Sequence, residues 1–421
     1  MATDLQRAFT ALTAKLIDYN TLFAYADGDQ PTVYSTSRLR EAFDNINARF
    51  TQNWCSVVIN STLDRLTLKG WDAENEAVNA ALDEIWWKLE MGLDSRDAHY
   101  DALVTTEGFI IAWKDGDNLD IYCNDPRQVV MFYDPARPKI KTFAAKWWAG
   151  DDAWYMTLYY PDRLEYYRTR SKDQPSSASA FMPADIPTAP NPYGVIPVFH
   201  FRGKGELGNI ITLQDAVNKL FADMMVAAEY GAFRQRYIIS NGDTSTMKNS
   251  PNEIWELPAG DGVGQQTSVG QFDATPLNNY LDAINEIANS IAIISRTPKH
   301  YFYNASGQLS GEALLAMEAP LNKKAAQYQQ SFGATWRELA AFVLRLERGL
   351  SVNPSDIMPV WEPVESVQPY TQAQTRQLAV SAGIPLITQL KREGWDESQI
   401  AAMLQDQIDE ENAGYENTPD Q

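Results

Sequence analysis

Cysteine and histidine are scarce in this chain, with two of the first and three of the second in 421 residues. Cys55 and Cys123 sit among apolar residues with no partner spacing. That excludes a disulfide framework and leads us to expect two reduced core thiols in a cytosolic product. His99, His200 and His300 stand alone, none with a His or Cys at metal-ligand spacing, so no zinc-type site is expected. No Gly-x-x-x-x-Gly-Lys-Ser/Thr run occurs, which removes the common phosphate loop. No apolar run approaches the roughly 20 residues that span a bilayer. The opening MATDLQRAFT lacks the basic-then-apolar pattern of a secretion leader. Neither a membrane nor a cofactor is therefore expected. Positive charge is also short: 35 Lys and Arg stand against 55 Asp and Glu, a formal net charge of −20. Gripping nucleic acid by blanket phosphate neutralisation needs a basic surface, so that mode is excluded. A protein past which nucleic acid must slide without sticking is not.

What is present is a folded composition, 44% hydrophobic and 21% charged, at a length that suggests two or three domains. The chain is organised around residues 311–348. Leu314, Met317, Leu321, Ala325, Tyr328, Phe332, Trp336, Leu339, Val343 and Leu346 recur at steps of three and four. That is one face of an α-helix, reaching roughly 57 Å at 1.5 Å per residue. Ser310 is a good N-cap, Arg345 and Arg348 suit the last turn, and Gly349 ends it. Pro320 falls inside the run, where a kink is expected rather than a stop. A helix this long outgrows an ordinary core, so we expect a strut or packing against copies of itself.

The rest of the chain reads as α+β. Amphipathic helices are expected over 3–23, 36–66 (ending at Gly70-Trp71), 74–91 and 94–106, the last two separated near Gly92. At Gly108 the pattern changes to short strands: 109–113 and 119–122 around the Asp115-Gly116 turn, then 128–133, 140–148, 153–160 and 163–169. Residues 171–194, rich in Ser, Ala and Pro, read as a surface loop. An apolar run at 195–201 leads through Gly203, Gly205 and Gly208 into a helix reaching about Phe233. Residues 239–277 lose helical period and suggest a small loop-and-strand module. A helix at 277–295 stops at Thr297-Pro298, and 299–310 is a loop. A strand at 357–361 and two or three helices over 370–412, broken at Gly383-Ile384-Pro385 and Gly394-Trp395-Asp396, complete the chain. No internal repeat is seen.

Little of this carries chemistry. Gly203-x-Gly205-x-x-Gly208 matches the dinucleotide fingerprint literally. But Pro197 does not suit a central parallel strand, and Asp223 and Glu229 fall in a helical stretch rather than at the end of a second strand. A glycine joint leading into a helix fits better. A Ser-His-Asp triad stays open, since its members need not be near in sequence. Twelve Trp and 20 Tyr beside 55 acids also leave a glycosidase reading open, although most of these aromatics fall on core faces. Lys323-Lys324, just after the proline, read either as a solvated face or as a basic collar toward nucleic acid.

The order of parts resembles the portal proteins of tailed bacteriophages. The similar stretches are NWCSVVINSTLDRL before Gly70-Trp71, NPYGVIPVFHF before the glycines, LGNIITLQDAVNKLFADMMVAAEYGAFRQRYI, TPKHYF before SGEALLAMEAPLNKKA, and the late GIPLITQLKREGW. The resemblance implies an elongated subunit. Residues 1–205, with 350–367 returning, would be a wing, and 206–238 and 277–298 two stem helices around a clip at 239–276. Residues 299–310 would be a tunnel loop, 311–349 a kinked tunnel helix, and 368–421 a crown with an acidic tail. It also implies a ring, usually of twelve copies, at one capsid vertex, that passes double-stranded DNA without reading its sequence. The implied partners are the terminase large subunit, which supplies the ATPase, the major capsid and scaffolding proteins, and head-completion or adaptor proteins. The product would be assembled in the host cytoplasm, reside in the virion, and have no enzymatic activity or cofactor of its own. On this resemblance Asn304, Ser306, Gln308, Lys323 and Lys324 are candidates for the DNA channel, and Gly203, Gly205, Gly208 and Pro320 for hinges or kinks. The alternatives are an acidic hydrolase, which should show a deep polar pocket, and another phage head or adaptor protein, for which this chain is long.

Overall fold

The computed structural model describes residues 2–31, 52–116, 118–232, 236–239, 268–273, 275–303, 311–365, 369–393, 395 and 397–416. They form two compact units, residues 1–364 and 365–421. Residues 36–51 of the helix expected over 36–66, most of 239–276, and 304–310 lie outside the described residues.

Helix α1 (Asp4–Asp27) starts in a capping box: the Gln6 amide donates to Thr3 Oγ1, and the Thr3 amide to Gln6 Oε1. It ends at Gly28, whose φ of 83° is a left-handed turn that glycine takes freely. Helix α2 (Trp54–Leu63) is capped by Asn53. Gly70-Trp71 does not terminate it. Both residues lie in strand β1 (Leu68–Ala73), whose register shifts between Leu68 and Gly70. Helices α3 (Glu76–Lys88) and α4 (Met91–Thr105) part at Glu90, which adopts φ 48°, while Gly92 sits inside α4.

Among the described residues every strand pair is antiparallel. Strands β2 (Glu107–Asp115) and β3 (Asn118–Asn124) join β9 (Val198–Arg202) in the order β3-β2-β9. Strands β4 (Val129–Asp134), β5 (Arg137–Ala149), β6 (Trp154–Tyr159), β7 (Arg163–Arg168) and β8 (Met182–Pro190) form a five-stranded meander. Strand β8 corrects the expectation of a loop over 171–194. Its three prolines disguise it, yet an edge strand tolerates residues that cannot donate to a ladder.

The alternation of strand side chains explains how the layers stack. Phe109 and Ile111 face the five-stranded sheet, packing on Val129, Met131 and Ala144, whereas Ile110 and Ala112 face the main helical core. On the far side of the meander, Phe143, Ala145 and Trp147 receive Phe9 and Leu12 of α1.

Helix α5 (Ile211–Ala232) and helix α6 (Asn278–Ser295) pack together, with the strand pair β10 (Arg236–Ile239) and β11 (Ser268–Gln271) between them in sequence. The expected module therefore begins before residue 239. The long helix is continuous as α7 (Gly311–Arg348), and Pro320 does not stop it. Strand β12 (Ile357–Trp361) returns to pair with β1.

The second unit holds α8 (Pro369–Ser381), α9 (Leu386–Arg392) and α10 (Glu397–Glu416). Gly383, at φ 91°, makes the expected break after α8. Within this unit the Arg376 guanidinium binds the Glu393 carboxylate and lies over the Trp395 ring.

Candidate functional site

Helix α7 is the axis of the site. From Leu321 to Leu344 its apolar face is buried inside its own subunit, through Ala325, Phe332, Trp336, Leu339 and Val343. Of the two readings of so long a helix, a strut or packing against copies of itself, the apolar face of this stretch needs no copies for its burial. Its N-terminal part differs: Leu314 and Leu315 are exposed.

The core around α7 is pinned by His99. Trp336 Nε1 donates to His99 Nε2 at 2.9 Å, and His99 Nδ1 lies 3.1 Å from the Leu66 carbonyl oxygen. With Nε2 accepting, Nδ1 carries the proton and donates. The ring stacks on Phe332 at 5.0 Å. Burial pushes its pKa down to about 3, so this histidine stays neutral as a core residue.

Beside Pro320 lies a clamp that the sequence did not reveal. Pro320 has no N–H, so the helix lacks one hydrogen bond there. Glu318 and Asn322, four residues apart on one face, are both held by Arg65. Its Nε donates to Asn322 Oδ1 at 2.8 Å and its Nη2 pairs with the Glu318 carboxylate. Tyr301 Oη also donates to Glu318 at 3.2 Å, and His300 Nε2 lies 3.3 Å from it. These two residues belong to the short turn Lys299–Tyr301 just ahead of 304–310. The signal available was an acid and an amide flanking a helical proline, but nothing in the sequence joined them to Arg65.

The three glycines of the joint separate by role. A Cβ at Gly203 would sit 2.2 Å from the Ala102 carbonyl oxygen of α4. Gly205 adopts φ 65°, and a Cβ there would meet Thr106 Cγ2 at 2.9 Å. Gly208 has nothing within 4 Å. The backbone is sealed onto α4: the Gly203 amide donates to Thr106 O at 2.8 Å and the Glu206 amide to Leu103 O at 2.8 Å. These amides are spent inside the fold instead of cradling a phosphate.

The adjacent lysines diverge. Lys323 is exposed and has no ion pair among the described residues. Lys324 is buried, with Nζ 2.8 Å from Glu206 Oε2 and donating to Ser295 O at 2.7 Å. Burial lowers its pKa and the Glu206 carboxylate opposes that. Tyr328 Oη donates to Glu206 Oε1 at 2.9 Å. Lys324 thus ties α7 to the glycine joint and to the end of α6. Asn304, Ser306 and Gln308 lie outside the described residues.

Helix α6 buries Ile284, Ala288, Ile291 and Ala292 but leaves Leu281, Ile293 and Ile294 in solvent, Ile293 at 78% exposure. Helix α5 is apolar along Leu220, Phe221, Met224, Met225 and Val226, yet these are only half-buried. Among the described residues no group of three or more His, Cys, Asp or Glu is placed to hold a metal, and no helix is long and apolar enough to cross a membrane.

Two helices with apolar surface left in solvent, joined in sequence through a strand pair and followed by a long helix anchored at a proline, make up this part of the chain. The family model described as "Phage portal protein, SPP1 Gp6-like" matches residues 6–412, and the chain belongs to that family. The family is structural rather than enzymatic. The portal protein of Mycobacterium phage L5 is 23% identical over 301 residues, covering 64% of this chain and 59% of the L5 protein. That of Mycobacterium phage D29 is 33% identical over 87 residues, 20% of this chain and 18% of its own length. The matched region thus spans less than two thirds of either relative.

Proposed function

We infer that the chain is one subunit of a closed ring of about twelve copies at a single vertex of a phage capsid. Double-stranded DNA enters and leaves through the ring's channel. The carrying observation is apolar surface left over in one copy: Leu281, Ile293 and Ile294 on α6, the half-buried face of α5, and Leu314 and Leu315 at the start of α7. Exposed apolar side chains such as these suit an association surface. A heterologous contact repeated by rotation closes into a ring. The net charge of −20 supports a duplex that moves without adhering, since an acidic wall repels phosphates.

In this reading residues 1–205, with 350–367, form the wing, 206–238 and 277–298 the stem, and 239–276 the clip. Residues 299–310 form the tunnel loop, 311–349 the tunnel helix, and 368–421 the crown. Asn304, Ser306 and Gln308 with exposed Lys323 face the duplex as a sequence-independent guide, while Lys324 holds the joint from within the subunit. The terminase large subunit docks on the ring and supplies ATP hydrolysis. Capsid, scaffolding and head-completion proteins meet it from other sides, and the assembled ring resides in the virion. Negative-stain electron microscopy with native mass measurement tests this. Rings with a central hole are expected, and a monomer or dimer at every concentration and salt would sink the reading.

A further inference from the structure

A cavity of about 390 Å³ opens beside the glycine joint, between the end of α6 and the face of α7 around Gln327. Its inner wall is neutral, because Lys324 and Glu206 cancel each other there. Its mouth is not. Arg202, Lys204 and Arg296 line it, all exposed, and none has an ion-pair partner among the described residues. The Arg202 guanidinium lies 3.7 Å from the centre of the Tyr133 ring, which orders it. Arg296 adopts φ 54°, a left-handed conformation that a non-glycine residue holds only at a cost. Three cations with no ion-pair partner among the described residues line one cavity, in a chain with twenty negative charges to spare. Ile294 lines the same cavity at 49% exposure, and Ile293 beside it is exposed at 78%.

Cations alone would suit a phosphate backbone. Exposed isoleucines at the same mouth do not, because a sugar–phosphate strand offers them nothing to pack on. Cations with an aliphatic lip fit a protein segment that brings a carboxylate and apolar side chains together. A second copy of this chain supplies both, with its excess of acids and its partly exposed apolar helices. We propose that the cavity receives a carboxylate from a neighbouring copy of this chain, with Arg202, Lys204 and Arg296 as its cationic partners. Ile293 and Ile294 are covered by the same contact. The inference rests on the ring reading above and names one contact that closes the ring.

The test uses full-length chains, ordinary and isotopically heavy, mixed and then assembled. A carbodiimide joins a lysine amine to a carboxylate it touches. The expected product is Lys204 linked to an Asp or Glu of an oppositely labelled copy. In parallel, the triple variant Arg202→Glu, Lys204→Glu, Arg296→Glu should raise the half-assembly concentration roughly tenfold or more at low salt. The control Arg170→Glu, Lys172→Glu, on exposed cations beyond β7, should not. Parent rings with no Lys204 link between copies, together with a triple variant that assembles like the parent, overturn the proposal and leave the ring reading standing. A parent chain that never closes into a ring overturns the ring reading and this contact with it. A triple variant that assembles normally but holds duplex DNA less well assigns the cavity to phosphate and overturns the proposal.

Discussion

His99 sets the acid limit of the main core. Its ordinary pKa near 6.5 falls to about 3 because burial disfavours the charged ring. The unfolded chain therefore binds the extra proton more readily across that window. Stability is full above pH 6.5 and is lost as pH falls toward 3, by about 2 kcal/mol at pH 5. His200, lowered to about 4 chiefly by burial, acts in the same direction. Urea melts of His99→Gln should show a lower midpoint at pH 7.5 and a drop to pH 5 that is shallower than the parent's by about that amount. An equally steep drop would show that His99 does not carry it. The sequence could name His99 as isolated but not as the hub between Leu66 and Trp336, because those partners converge only through the fold. The paired lysines show the same limit. Adjacent residues on a helix point about 100° apart, so Lys323 reaches solvent while Lys324 turns inward to Glu206.

At the scale of elements, strong periodicity was legible and backbone approach was not. The stepped apolar positions of α7 and the short strands around Asp115-Gly116 follow from side-chain geometry alone. Strand β8 escaped notice because its prolines mimic a loop, and β1 because a glycine before a tryptophan looks like a helix end. The three glycines looked equivalent as a flexible joint. The fold instead packs the first of them onto α4. Gly203→Ala should destabilise the protein by about 3 kcal/mol, since its Cβ meets a backbone oxygen that cannot swing aside. Gly208→Ala should be nearly neutral, having open space around it. Thermal melts of the two variants side by side check this, and equal melting temperatures would refute the packed joint.

At the scale of the whole molecule, the exposed apolar side of α6 separates folding from association. Ile293→Asp places a charge where the single copy has only solvent, so its monomer melting temperature should stay within about a degree of the parent's. Its assembly should weaken, because a carboxylate is taken out of water where the contact otherwise covers an isoleucine, and it competes with the neighbouring copy's carboxylate for the same cations. Loss of both properties would mean that Ile293 serves the fold and not the assembly. The mixed helix-and-sheet class could be anticipated from the order of its elements, but the burial of α7's apolar face within its own subunit could not, since a periodic face does not say whose core it meets. The pairing of β1 with β12 has a further effect in time. Leu68 faces Trp361 across that ladder, so one strand waits for a partner far along the chain. A chain interrupted before residue 357 leaves β1 without a partner and the core around Trp71 open to water. The first unit cannot close until residues 357–361 have been made, so a chain stopped short of them lacks this ladder and the surface built on it.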